Sequence, residues 1–164
     1  MDTGTRCYGD ELVAVLSAAS AVLKDLPARV HGLTGPELDA VLPVIDALAA
    51  VAAAGRFTVA AEAVGRGEVA GSQAGSTAQW VADRCRSLDG REAGLVAKAV
   101  RELTGPSPLS PALVGARAAV EEGRLSVSAG CVVAAELAQL APLVDLDAVD
   151  AVAAGLVAMG QVDG

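Results

Sequence analysis

Hydrolytic and transfer chemistry needs a general base, an activated nucleophile or a set of metal ligands, and this sequence is poor in all three. His31 is the single histidine, and asparagine is absent. A Ser-His-Asp arrangement built on His31 would want the Gly-x-Ser-x-Gly elbow beneath its serine, and no such motif occurs. His31 is therefore read as a solvated loop residue. Cys7, Cys85 and Cys131 are odd in number and widely spaced, which fits neither a disulfide framework nor a zinc pattern. Buried free thiols are the expectation. Glu121, Glu122, Asp145, Asp147 and Asp150 lack the alternating oxygen ligands, central glycine and bidentate glutamate of a calcium loop, and are assigned to helix ends. "GRGEVAG" at Gly65 follows a helical pattern where a dinucleotide-binding turn follows a strand, and "GSQAGST" lacks the lysine of a phosphate-binding loop. No catalytic residue, metal site or cofactor is expected.

One stretch stands apart. "STAQWVADRCRSLDGREAGLVAKAVREL", Ser76 to Leu103, holds the single Trp, one of three Cys and five of the twelve basic residues. The net charge of −8 argues against non-specific coating of nucleic acid, whose affinity comes from Lys and Arg on phosphate. That charge is uneven: residues 1–75 carry five basic and nine acidic side chains, 76–104 five and four, 105–164 two and seven. Arg91, Gly94, Lys98 and Arg101 fall within about 80° on a helical wheel, opposite the stripe of Leu95, Val96, Ala99, Val100 and Leu103. A short helix, a polar turn and a longer helix are the parts of a helix-turn-helix. Arg91, Lys98 and Arg101 are thus candidates for nucleic-acid contact. Only Arg91 stands near the helix N-terminus, where base reading occurs. The competing reading is a solvated face on which Lys98 pairs with Glu102 at i, i+4. Trp80 is assigned to the core as a structural anchor against Val96 or Val100.

The elements that must position these residues are all helical. No segment alternates with period two, while apolar residues recur at i, i+3, i+4 and i+7. A single domain of about six to seven helices is expected over residues 1–164, with a helix-turn-helix-like pair at 76–103. The first helix runs from near Asp10 to Asp25 with Leu12, Val15, Leu16, Ala19 and Leu23 on one face, and Pro27 follows its end. Thr34, Pro36 and Glu37 mark a second start; that helix extends to Val64, kinked at Pro43. Ser76 with Gln79 and Asp89 with Glu92 have capping-box spacing. Ser110-Pro111 opens a fifth helix that Gly123 ends, Ser126 caps a sixth that Pro142 stops, and Asp145 or Asp147 caps a last one. That helix ends with the chain, which suggests a fragment or truncated reading frame.

A length of 164 residues supports a core without staples. With Tyr8, Phe57 and Trp80 the only aromatics, Ala, Val and Leu must fill it. The mean hydropathy of +0.49 is high, yet the apolar run Leu12 to Leu23 is short for a membrane span and Asp46 interrupts Ala40 to Gly55. The start "MDTGTRCYGDE" is acidic where a signal peptide is basic. A cytoplasmic protein with no membrane contact is expected.

With these residues placed, the sequence resembles the domain-of-unknown-function 222 family, the N-terminal helical part of the thirteen-E-twelve repeat proteins of high-GC bacteria. The likeness rests on Ser76 to Leu103 and on "LSPALVGARAAVEEGRLSVSAGCVVAAELAQL": Trp80 after a Ser/Thr cap, Glu92-Ala93 opening the next helix, and Gly123-Arg124-Leu125-Ser126 joining two helices. It extends by general pattern from about Leu33 to Leu143. Members continue into a C-terminal HNH endonuclease domain, so the resemblance implies a nuclease-associated module, with DNA and that HNH domain as partners in full-length relatives. An HNH site needs a histidine base, an orienting asparagine and further metal ligands, whereas this chain has one histidine, His31, far upstream, and no asparagine. Many members carry His or Gln after the Leu-Ser of the sixth helix, where Ala129 stands here. The leading expectation is a non-catalytic module that helps position a nuclease on DNA. Its rival is a helical module that self-associates or docks a partner protein, with the oligomeric state left open.

Overall fold

The structure is a computed structural model and describes residues 8–107 and 109–160. Among them are seven α-helices, one 3-10 turn and no strand, in the order α1 (Tyr8–Arg29), the 3-10 turn (Val30–Gly32), α2 (Gly35–Gly65), α3 (Thr77–Arg84), α4 (Gly90–Thr104), α5 (Ser110–Glu121), α6 (Val127–Leu140) and α7 (Leu146–Gly160). The all-α class expected from the periodicity is the class observed. The chain divides into two compact units, Met1–Ile45 and Asp46–Gly164.

The second unit contains the core. Phe57, Val100, Val120, Leu125, Leu137 and Val149 are its largest fully enclosed side chains. Ala60, Ala99, Ala116 and Ala119 are buried in the same cluster, and such small residues let helices approach closely. α4 packs on α3, α5 and α6, while α5 and α6 also pack on α7 and on each other. At Gly130 on α6 a Cβ would stand 2.8 Å from Val120 Cγ2 and 3.1 Å from Leu103 Cδ1, so the helices meet here only because the side chain is a hydrogen. Gly123 closes α5 with φ +73°, and the Leu125 N–H then donates to the Ala119 carbonyl at 3.0 Å.

The caps are partly as expected. Asp89 and Glu92 form a complete capping box: Asp89 Oδ1 accepts from the Glu92 N–H and Glu92 Oε2 from the Asp89 N–H, each at 2.8 Å. Ser76 accepts from the Gln79 N–H at 3.1 Å, but the Gln79 side chain turns forward to donate to Asp83 at 2.6 Å, so that box is half formed. Ser126 caps α6 through the Ala129 N–H at 3.1 Å. At Thr34 the Glu37 carboxylate accepts from both the backbone N–H and the hydroxyl, each at 2.7 Å. Those two bonds hold the Glu37 carboxyl below its ordinary range.

One boundary differs from expectation, and one does not. α1 runs to Arg29 with Pro27 inside it: proline already has a helical φ, and so close to the helix end it removes only one terminal bond. α2 is continuous from Gly35 to Gly65 through Pro43 and Asp46. By length and composition it is long and apolar enough to cross a membrane, although Asp46 interrupts the apolar run Ala40 to Gly55 in the sequence. One charged residue interrupts an apolar run without interrupting the hydrogen-bonding of a helix.

The first unit is organised differently. No residue of α1 is buried. Leu26, Val30, Leu33, Val41 and Ile45 are half-buried, and the rest of the apolar surface is open.

Candidate functional site

The α3–α4 pair is a short helix, a turn over 85–89 and a longer helix packed against it. Asp89 and Glu92 fix where α4 begins, and Ala93, Val96, Ala99, Val100 and Leu103 bury its inner face. The outer face follows from that choice. Arg91, Lys98 and Arg101 are all exposed, aligned along α4 as the wheel predicted.

The charges around them set what this stripe can do. Lys98 Nζ lies 4.0 Å and Arg101 Nη2 3.5 Å from the same oxygen, Glu102 Oε1. The solvated i, i+4 pairing weighed against nucleic-acid contact is therefore present, with a second cation added. Glu102 is only 25% exposed, and its Oε2 is buried without a hydrogen-bond partner among the described residues. A half-buried carboxylate gains from the two cations that share its Oε1. Arg91 makes no ion pair among the described residues. It stands between Asp89 and Glu92, whose carboxylates line the same shallow groove of about 600 Å³; an approaching phosphate would meet them too.

A larger groove of about 850 Å³ adjoins it at Gly94 and Lys98, and Lys98, Arg101, Arg117, Glu62 and Glu121 are among the residues that line it. Arg117 bonds Glu121 at 2.7 Å, and Glu62 bonds Arg66 at 2.6 Å. Groups of both signs line this groove, so it presents no single-sign field to a polyanion.

Trp80 is half-buried and packs against the edge of the core, with the Arg84 guanidinium 4.2 Å over its ring. Arg84 also donates to the Trp80 carbonyl at 3.1 Å. The fully enclosed aromatic is Phe57, which the sequence reading did not single out. Cys131 is buried and Cys85 half-buried, both as free thiols, while Cys7 lies outside the described residues. Burial, then the Glu102 carboxylate, pushes the Cys131 thiol upward and keeps it protonated. His31 is exposed in the 3-10 turn. Among the described residues no group of three or more His, Cys, Asp and Glu stands where it could hold a metal ion.

Sequence reasoning found the apolar face of α1 and missed that it is left open. Ten large apolar side chains of the first unit are between 42% and 83% exposed: Tyr8, Leu12, Val13, Val15, Leu16, Val22 and Leu23 on α1, and Leu38, Leu42 and Val44 on α2. The available signal was that Val13, Val15 and Val22 widen the stripe beyond what one neighbouring helix covers. No protein-family model matches the chain, and neither does any curated protein or solved structure.

Proposed function

We propose that this chain is a non-catalytic helical interaction module whose first unit docks on protein. The observation that carries the reading is the contrast between its two units. The second encloses Phe57, Leu125 and Leu137 in a core of its own, whereas α1 buries nothing and holds seven large apolar side chains in the open. A monomer ordinarily exposes apolar residues singly or in patches of a few hundred Å². Contiguous open surface on one helix is what a protein interface looks like before it is covered.

The test uses the full chain and a Leu12→Glu/Leu23→Glu variant with unchanged far-ultraviolet circular dichroism. The chain is expected either to associate in light scattering or to bind anilinonaphthalene sulfonate, and the variant to lose whichever behaviour the parent shows. A monodisperse monomer that binds no dye overturns the reading.

A second reading is favoured by one observation, the alignment of exposed Arg91, Lys98 and Arg101 on α4. On this reading the module positions a nuclease on DNA, as the resemblance to HNH-associated domains implies. It predicts duplex binding that weakens steeply with salt and is lost in an Arg91→Ala/Lys98→Ala/Arg101→Ala variant. Absence of binding at low ionic strength would remove it. The pairing of Lys98 and Arg101 with Glu102 ranks it below the first.

A further inference from the structure

We infer that Glu102 is an inhibitory counter-charge for the basic stripe of α4: a polyanion reaches Lys98 and Arg101 only in competition with the Glu102 carboxylate. The inference rests on the second reading above and names what regulates its site. At 100° per residue Glu102 stands between Lys98 and the buried Ala99, about 40° from the first and about 60° from the second. That position explains its partial burial. Its Oε1 is shared by Lys98 Nζ at 4.0 Å and Arg101 Nη2 at 3.5 Å, while its Oε2 is enclosed and has no hydrogen-bond partner among the described residues. Burial first, then this carboxylate, raises the thiol of Cys131 on α6, so the charge acts at the α4–α6 contact as well as on the stripe.

The competition follows from that asymmetry. Because Oε2 receives no donor, the Glu102 charge is met through Oε1 and the two cations on it. A phosphate that drew both cations away would leave a half-buried carboxylate without its counter-charge, which is costly. The other carboxylates near the stripe have their own partners. Asp89 and Glu92 accept the backbone N–H groups that start α4, Glu62 bonds Arg66, and Glu121 bonds Arg117. Among the described residues Glu102 is thus the carboxylate that forms ion pairs with the stripe.

The test is fluorescence anisotropy of a labelled DNA duplex of mixed sequence, titrated with the full chain at several salt concentrations. Glu102→Gln is expected to bind about three- to tenfold tighter than the parent at about 50 mM salt, with a salt slope steeper by about one. Adding Lys98→Ala/Arg101→Ala to that variant should abolish the gain. Asp150→Asn takes the same charge from α7 and should leave the affinity at the parent's value. Circular dichroism and Trp80 emission report whether each variant is folded. Should Glu102→Gln not fold, Glu102→Met is the second variant, with the same expectation, since an apolar side chain of similar length can replace a buried charge.

Parent binding that Glu102→Gln does not tighten overturns the inhibitory role and leaves the DNA reading standing. A gain that Asp150→Asn reproduces also overturns it, because net charge alone then accounts for the gain. Binding by neither the parent nor Glu102→Gln removes both the DNA reading and the inference. Binding by Glu102→Gln with none by the parent upholds the block at Glu102 and removes DNA as a ligand of the native chain.

Discussion

Phe57, from α2, is fully enclosed in a core otherwise made of Ala, Val, Leu and one Cys. Its small neighbours cannot collapse far into the space it would vacate, so Phe57→Ala is expected to cost about 3 to 5 kcal/mol in denaturant unfolding. Trp80, which the sequence pointed to as the anchor, stands at the edge of the core beneath Arg84. The difference was hidden because two aromatics of similar apolar character were available and only packing decides which is enclosed. Glu37 gives a pH prediction. Its carboxyl is held low by the two bonds from Thr34, so its contribution at the start of α2 is present above the ordinary carboxylate range and is lost as pH falls through its depressed folded value. Carboxyl chemical shifts followed by acid titration should show Glu37 titrating below other exposed glutamates, and Thr34→Ala should move it back up. At the candidate site the sequence showed both possible fates of Lys98; Arg101 reaching the same Glu102 oxygen as Lys98 became visible only with the helix built.

Among the elements, α4 and α6 are the most sharply specified. Asp89 with Glu92 and Ser126 with Ala129 start them as the residue types require. These starts were legible because capping depends on neighbours three residues apart. The end of α1 was less legible, since Pro27 is a breaker only in some positions of a helix. Two glycines give opposite predictions. Gly94 on α4 has open space where a Cβ would go, so Gly94→Ala should stabilise by about 0.5 to 1 kcal/mol through helix propensity. Gly130 on α6 has Val120 Cγ2 at 2.8 Å, a β-branched group that is itself enclosed, so Gly130→Ala should destabilise by about 1 to 2 kcal/mol. Thermal unfolding of the pair reads both signs in one experiment.

For the whole molecule, the division into two units decides what a mutation reports. Substitutions on α1, none of whose residues is buried, should leave the unfolding free energy of the second unit unchanged to within about 0.5 kcal/mol. A Leu12→Glu/Leu23→Glu chain that shifts the Trp80 transition by more than that would show that the open face supports the core. Periodicity and caps made the helices legible, because these are local rules. Which apolar face stays open was not, because alternating helical stripes look alike whether or not a neighbour covers them. The aromatic scarcity has an optical consequence: Trp80 lies in the second unit and the single tyrosine, Tyr8, in the first, so each unit carries one native fluorophore of a different kind. Selective excitation of the indole follows the second unit without a label, and tyrosine anisotropy follows the first unit in the same cuvette. With Arg84 stacked on the ring, the indole emission should also respond to loss of that cation in Arg84→Ala before anything unfolds.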